Sequence, residues 1–155
     1  MELEKLLQEH RGIVYKICRL YRDTKEDQED LFQEISYQLW RSLPTFKGEA
    51  KITSWIYRIA LNTALASYRV KRLKISFPGE MPEIMDEQEN DEQERRRQLF
   101  LFALKKLNDA EKALIILYLE DQTYQEIAEV IGISENNVGV RLNRIKAKLK
   151  NLLNQ

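Results

Sequence analysis

Apolar residues return every three or four positions along most of this chain, the spacing of helices with one buried face. Over residues 2–22 the stripe is Leu3, Leu6, Leu7, Ile13, Val14, Ile17, Leu20 and Tyr21. The polar run DTKED breaks it, and it resumes over 27–42 through Leu31, Phe32, Ile35, Leu39 and Trp40. Pro44 ends this second helix, because proline has no N–H to give and crowds the preceding turn. TFKGEAK (45–51) then reads as a loop around Gly48. Thr53 or Ser54 is placed to cap a third helix, WIYRIALNTALASYRVKRL, whose inward positions are Ile56, Ile59, Ala60, Thr63, Ala64 and Tyr68.

The pattern lapses over SFPGEMPEIMDEQENDEQ (76–93), where two prolines, a glycine and a run of acids predict a flexible linker. It returns near Arg95 with RRRQLFLFALKKL, and Asn108 or Asp109 caps the next helix, AEKALIILYLED. In TYQEIAEVIGIS, Thr123 and Glu126 have the spacing of a capping box, which satisfies the free N–H groups of a helix start. Small Ala128 lets a neighbouring helix approach, Gly132 supplies a left-handed stop, and Ser134 caps the final helix. A short helix, a turn with glycine and a longer helix make a helix-turn-helix. The expected fold is all-α: two small helical domains, 1–75 and 94–155, joined by an acidic linker, 76–93, with the helix-turn-helix in the second.

On the last helix Val138, Leu142, Ile145, Leu149 and Leu152 face inward, while Asn137, Arg141, Arg144 and Lys148 form a second stripe. After Glu135 the helix carries Arg141, Arg144, Lys146, Lys148 and Lys150 and no acid. One face for the domain and another for a polyanion is the division a recognition helix needs. Arg grips guanine and Asn adenine through paired hydrogen bonds in the major groove, and Lys holds phosphates. An ordinary amphipathic helix with cations at its negative end would share the charges, but not the capping box, turn glycine and stripe together.

Charge extends the picture to the first half. The chain is neutral overall, with 25 Lys and Arg against 25 Asp and Glu. Yet between 41 and 75 the cations Arg41, Lys47, Lys51, Arg58, Arg69, Lys71, Arg72 and Lys74 face Glu49 alone, and from 80 to 94 every ionisable residue is acidic. Two basic modules around an acidic connector suit a polyanion gripped at two places.

Other functions find little support. His10 is the one histidine and Cys18 the one cysteine, which excludes an internal disulfide or a multi-cysteine metal site. There is no phosphate-binding glycine loop, and Asp23, Glu26, Asp27, Glu29 and Asp30 lack the spacing of a calcium loop. No enzyme activity, metal or cofactor is expected. MELEKLLQEH has acids where a signal peptide carries cations, and ALIILYL (113–119) is too short to span a bilayer, so a cytoplasmic protein without membrane insertion is expected. A stand-alone helix-turn-helix regulator, normally a dimer on a palindrome, leaves the basic first module without a role.

DLFQEISYQLWRSLPTFKGEAKITSWIYRIALNTALASYRVKR and LNDAEKALIILYLEDQTYQEIAEVIGISENNVGVRLNRIKAKL resemble the two domains of extracytoplasmic-function (ECF) sigma factors, in the family's order. These are dissociable promoter-recognition subunits of bacterial RNA polymerase. The resemblance implies core polymerase and promoter DNA as partners, admits an anti-sigma factor, and implies a monomer when free. It makes Leu31, Gln33, Glu34 and Trp40 candidate polymerase contacts, although Leu31 and Trp40 suit a core equally well. It assigns FKGEAKITSW to the loop that holds a flipped base of the −10 element, with Lys47, Lys51, Trp55, Arg58, Asn62, Arg69, Lys71 and Arg72 as candidate contacts. Of these, Trp55 fits buried core better than an exposed platform. The −35 element falls to Tyr124, Asn136, Asn137, Arg141, Arg144 and Lys148. Leu61, Ala66 and the pair Gly139-Val140 stand where relatives usually have Arg, Asp and Lys-Ser.

Overall fold

In the computed structural model, which describes residues 3–49, 51–66 and 91–154, the chain divides into two compact units, Met1–Met81 and Pro82–Gln155. All regular elements among the described residues are helices, as the apolar spacing requires.

In the first unit α1 (Leu3–Tyr21), α2 (Lys25–Ser42) and α3 (Ile52–Ala66) pack pairwise around one core. α1 bends at His10 (φ −121°, ψ 15°), inside the polar stretch between its two apolar clusters. Val14, Ile17, Cys18 and Leu20 from α1 meet Leu31, Ile35 and Leu39 from α2 and Ile56, Tyr57, Ala60, Leu61 and Ala64 from α3, all buried. Burial pushes the Cys18 thiol up to about 12, against the opposing pull of Arg22. Arg22 donates to the carbonyls of Tyr21 (2.8 Å) and Ala64 (3.2 Å), so one guanidinium satisfies acceptors near the ends of α1 and α3. Thr24 caps α2, its hydroxyl accepting from the Asp27 amide at 3.1 Å.

Three expectations change here. Neither Thr53 nor Ser54 caps α3, because the Trp55 amide already donates to the Lys51 carbonyl (3.1 Å) and the helix starts at Ile52. Trp40 lies outside the core, 59% exposed, because the buried stripe of α2 is the single row Leu31, Ile35, Leu39. Trp55 is half-buried, with the Phe46 ring against it at 5.0 Å between centroids. The expected continuation of α3 through Tyr68 to Leu73 lies outside the described residues.

The second unit has α4 (Asp91–Lys105), α5 (Asp109–Leu119), α6 (Tyr124–Ile131) and α7 (Glu135–Leu153), with α4, α5 and α6 all packed on α7. α4 begins at Asp91, within the stretch whose acidity suggests a linker. Asp91, Glu92 and Glu94 suit the positive end of a helix dipole, and Glu92 meets Arg96 one turn on at 3.0 Å. Residues 76–90 of that stretch lie outside the described ones.

Local caps set the rest. Asn108 and Glu111 form a reciprocal capping box at α5 (3.0 and 2.8 Å), and Thr123 and Glu126 form another at α6 (3.0 and 3.1 Å). Gly132 closes α6 in the left-handed region (φ 85°, ψ 35°), and Ser134 accepts from the Asn137 amide at 3.2 Å to start α7. α5 closes at Asp121, whose φ of 61° is left-handed without being glycine.

Candidate nucleic-acid interface

The helix-turn-helix is α6, the turn at Gly132, and α7. Val138, Leu142, Ile145 and Leu149 bury one side of α7, which leaves Asn136, Asn137, Arg141, Arg144 and Lys148 exposed on the other. Tyr124, at the start of α6, is exposed at 37%. Among the described residues Arg141 and Arg144 meet no hydrogen-bond or ion-pair partner. Arginines with full donor sets and no internal carboxylate are free to meet bases or phosphates.

The other cations of α7 are not equivalent. Lys148 Nζ lies 3.0 Å from Glu111 Oε1, at the start of α5. Lys146 Nζ stands 4.1 Å from the centre of the Tyr118 ring, in the last turn of α5. Two lysines thus tie α7 to opposite ends of α5. Glu111 registers the arrangement: burial alone would raise its carboxyl, but the Asn108 amide and the Lys148 ammonium outweigh that and hold it below its ordinary value. Sequence spacing marked Lys148 as a phosphate contact and could not show that Glu111, 37 residues earlier, already holds it.

The first unit offers a different surface. Lys51, Trp55, Arg58 and Asn62 follow at spacings of four, three and four, so they line one side of α3. Lys51, Arg58 and Asn62 are exposed, as is Lys47 in the preceding loop. Gly48 turns that loop in the left-handed region (φ 75°). Phe46 was not singled out by sequence, yet its ring covers part of Trp55 and anchors the loop to α3. Arg69, Lys71 and Arg72 lie outside the described residues.

The polymerase candidates separate by burial. Leu31 is in the core, Gln33 and Glu34 are half-buried, and Trp40 projects beside Tyr37 with ring centres 6.1 Å apart. No helix among the described residues is long and apolar enough to cross a membrane.

Comparison with known proteins matches this division. Residues 6–73 match sigma-70 region 2 and residues 95–149 match sigma-70 region 4. The chain is 24% identical over 151 residues to the ECF RNA polymerase sigma factor SigM of Mycobacterium tuberculosis, covering 97% of this chain and 76% of that one. It is 29% identical over 126 residues to the RNA polymerase sigma factor SigZ of Bacillus subtilis, covering 81% and 72%. In fold it resembles the sigma factor RpoE of Bartonella quintana, solved in complex with the anti-sigma factor NepR. That match has a TM-score of 0.73 at 18% identity, over 97% of this chain and 96% of that one.

Proposed function

The chain belongs to the ECF sigma factors of RNA polymerase, and we propose how its two units divide promoter recognition between them. Proteins of this family bind core polymerase, recognise the −35 and −10 elements and help to open the DNA; they are initiation factors and not enzymes. The second unit reads the −35 element through α7, with Arg141 and Arg144 as base readers, Asn136, Asn137 and Tyr124 beside them, and Lys148 on the backbone. The observation that carries this assignment is the pair of exposed arginines, without partners among the described residues, on the second helix of a capped helix-turn-helix.

The first unit takes the −10 element. Strand opening needs cations for the backbone and a pocket or ring for an unstacked base. Lys47, Lys51, Arg58 and Asn62 supply polar groups around the Phe46–Trp55 pair, and Arg69, Lys71 and Arg72 add charge further along the chain. Core polymerase docks on the exposed side of α2 around Trp40, with Gln33 and Glu34, while Leu31 supports this surface from the core. Tryptophan is, with tyrosine and arginine, among the side chains enriched at the energetic centre of interfaces. The protein acts in the cytoplasm as a free monomer before joining polymerase, and an anti-sigma factor is a further partner, as it is for the Bartonella protein.

Run-off transcription tests the assignment. Transcripts from a promoter selected by the holoenzyme should require both core polymerase and this protein. Trp40→Ala should raise the concentration needed for half-maximal output by roughly thirtyfold or more, as loss of an interface hot spot does. Tight, sequence-specific binding of the free chain to duplex DNA, without polymerase, would favour a stand-alone regulator.

A further inference from the structure

Between Asn136 and Lys148, α7 carries one large apolar side chain that neither the core nor the polar stripe explains. Val140 is 41% exposed. At about 100° per residue it stands about 200° around the helix from buried Val138, so it points away from its own domain. Asn136 and Asn137 precede it by one turn and Arg144 follows by one turn, which sets an isopropyl group among the polar readers. A lone exposed apolar residue is ordinary, but the residue before it adds a second observation. A methyl group on Gly139 would stand 3.4 Å from Tyr124 Cε2 and 3.9 Å from Cδ2, so the tyrosine ring lies against the helix at this glycine. Alanine would fit in van der Waals contact, while a longer side chain would compete with the ring for its place. Tyr124 itself is 37% exposed. The ring and the valine therefore place hydrocarbon beside one stretch of backbone, on the part of α7 that precedes Arg144.

We propose that Val140 is a specificity-determining residue that packs on the C5-methyl group of a thymine in the −35 element, with the Tyr124 ring lying against the helix at Gly139, at the border of that contact. The proposal rests on the assignment of α7 to the −35 major groove. In that groove the thymine methyl is the apolar feature among the donors and acceptors of the base edges, and small apolar side chains are what contact it. Arg141 and Arg144 then read hydrogen-bonding edges, and Val140 adds a preference for T·A at the base pair it reaches.

The test replaces each −35 thymine singly by deoxyuridine, which removes only the methyl group, in an element selected by the holoenzyme from a random library. At one position the wild-type holoenzyme should bind about fourfold more weakly to the uracil promoter, the worth of one buried methyl. Val140→Ser should lose that difference while still preferring the selected element over a scrambled one. The proposal is overturned if the selected element contains no T·A pair, if no thymine-to-uracil change matters, or if Val140→Ser remains sensitive at the same position. A holoenzyme that does not distinguish selected from scrambled −35 DNA at all would overturn the assignment of α7, and the proposal with it.

Discussion

The two units shape the surfaces proposed to face DNA by different means. In the C-terminal unit each helix from α5 onward starts on a side chain that caps it from three residues away: Asn108, Thr123 and Ser134. With the helices placed by local bonds, the exposed side of α7 is free to hold arginines that meet no partner among the described residues. In the N-terminal unit Thr24 caps α2, but α3 starts on a backbone bond to Lys51. Its loop is placed by the Phe46 ring on Trp55, nine residues on. Arg22 adds a link across 42 residues, to Ala64. One reader is built from bonds within a turn of helix, the other from tertiary contacts.

The largest expected effect tests whether the two units are separately stable. Ile35 is fully buried among all three helices of the first unit, and Ile35→Ala should cost about 2–5 kcal/mol through transfer and cavity terms. Cys18 is a built-in reporter, since burial leaves its thiol inaccessible and raised to about 12. Native protein should resist a thiol reagent at pH 8, and Ile35→Ala should react many times faster. Leu142→Ala, a comparable cavity in the second unit, should leave Cys18 protected. If it exposes Cys18 as readily, the units share one cooperative core and the comparison fails.

The same difference explains what could be read from sequence. Capping boxes, turn glycine and apolar stripe occupy fixed short offsets, so TYQEIAEVIGIS placed α6, its turn and the start of α7 correctly. Tertiary choices were less legible. Trp55 looked like core and Trp40 stayed open between core and a polymerase contact, because apolar size alone cannot say which flank of a stripe a ring falls on. Asp91 and Glu92 read as linker because composition does not separate a solvated tail from a helix start that attracts acids. Phe46 and Glu111 escaped for a related reason, since they act through contacts the spacing does not encode. Val140 stood out only as a departure from relatives, and its exposure opposite the inward stripe needed the structure.

A second prediction sharpens the contrast at the DNA. Arg141→Ala or Arg144→Ala should cost about 1–3 kcal/mol on the preferred −35 sequence and much less on a scrambled one. Holoenzyme titrations on matched and scrambled DNA measure this directly. Equal losses on both sequences would make α7 an electrostatic clamp, with base reading elsewhere.

Lys148 and Glu111 give a smaller effect, on the side of the helix where α7 is tied to α5. Lys148→Ala should weaken binding to both DNAs alike and make the salt slope shallower by about one phosphate. The ion pair itself should contribute about 0.5–1 kcal/mol to the stability of the unit, since both side chains are partly solvated. Glu111→Gln isolates the charge, because its amide oxygen can still accept from Asn108. The sign follows from the carboxyl being lowered in the folded state from an ordinary value of 4.5. Its contribution is complete above that value and disappears as pH falls through the folded one. The advantage of wild type over Glu111→Gln in thermal melts should therefore hold at pH 7 and close below about pH 4.5. An advantage that does not shrink at all as pH falls below 4.5 would mean that charge at Glu111 is not what ties α7 to α5.

The smallest effect concerns the one place where the C-terminal unit departs from its local rules. α5 ends with the Gln122 amide on the Leu117 carbonyl (3.1 Å) and Asp121 in the left-handed region at φ 61°, the position glycine usually fills. Aspartate tolerates that region better than most residues, yet its charge sits at the negative end of the helix, beside Glu120, which costs about 0.3–1 kcal/mol. Asp121→Asn should recover that term and keep the conformation. Asp121→Gly should add relief of the left-handed strain, offset in part by the freedom glycine gains in the unfolded chain, for a net gain of about 0.5–1 kcal/mol. Asp121→Ala removes the charge but also the short polar side chain that makes this conformation tolerable, and should be the least stable of the three substitutions. Thermal melts of the four proteins at one pH measure the order. If alanine equals glycine, the turn does not hold its left-handed form in solution, and the angle at which α5 delivers α6 is then set by packing on α7, as tertiary contacts set the loop of the first unit.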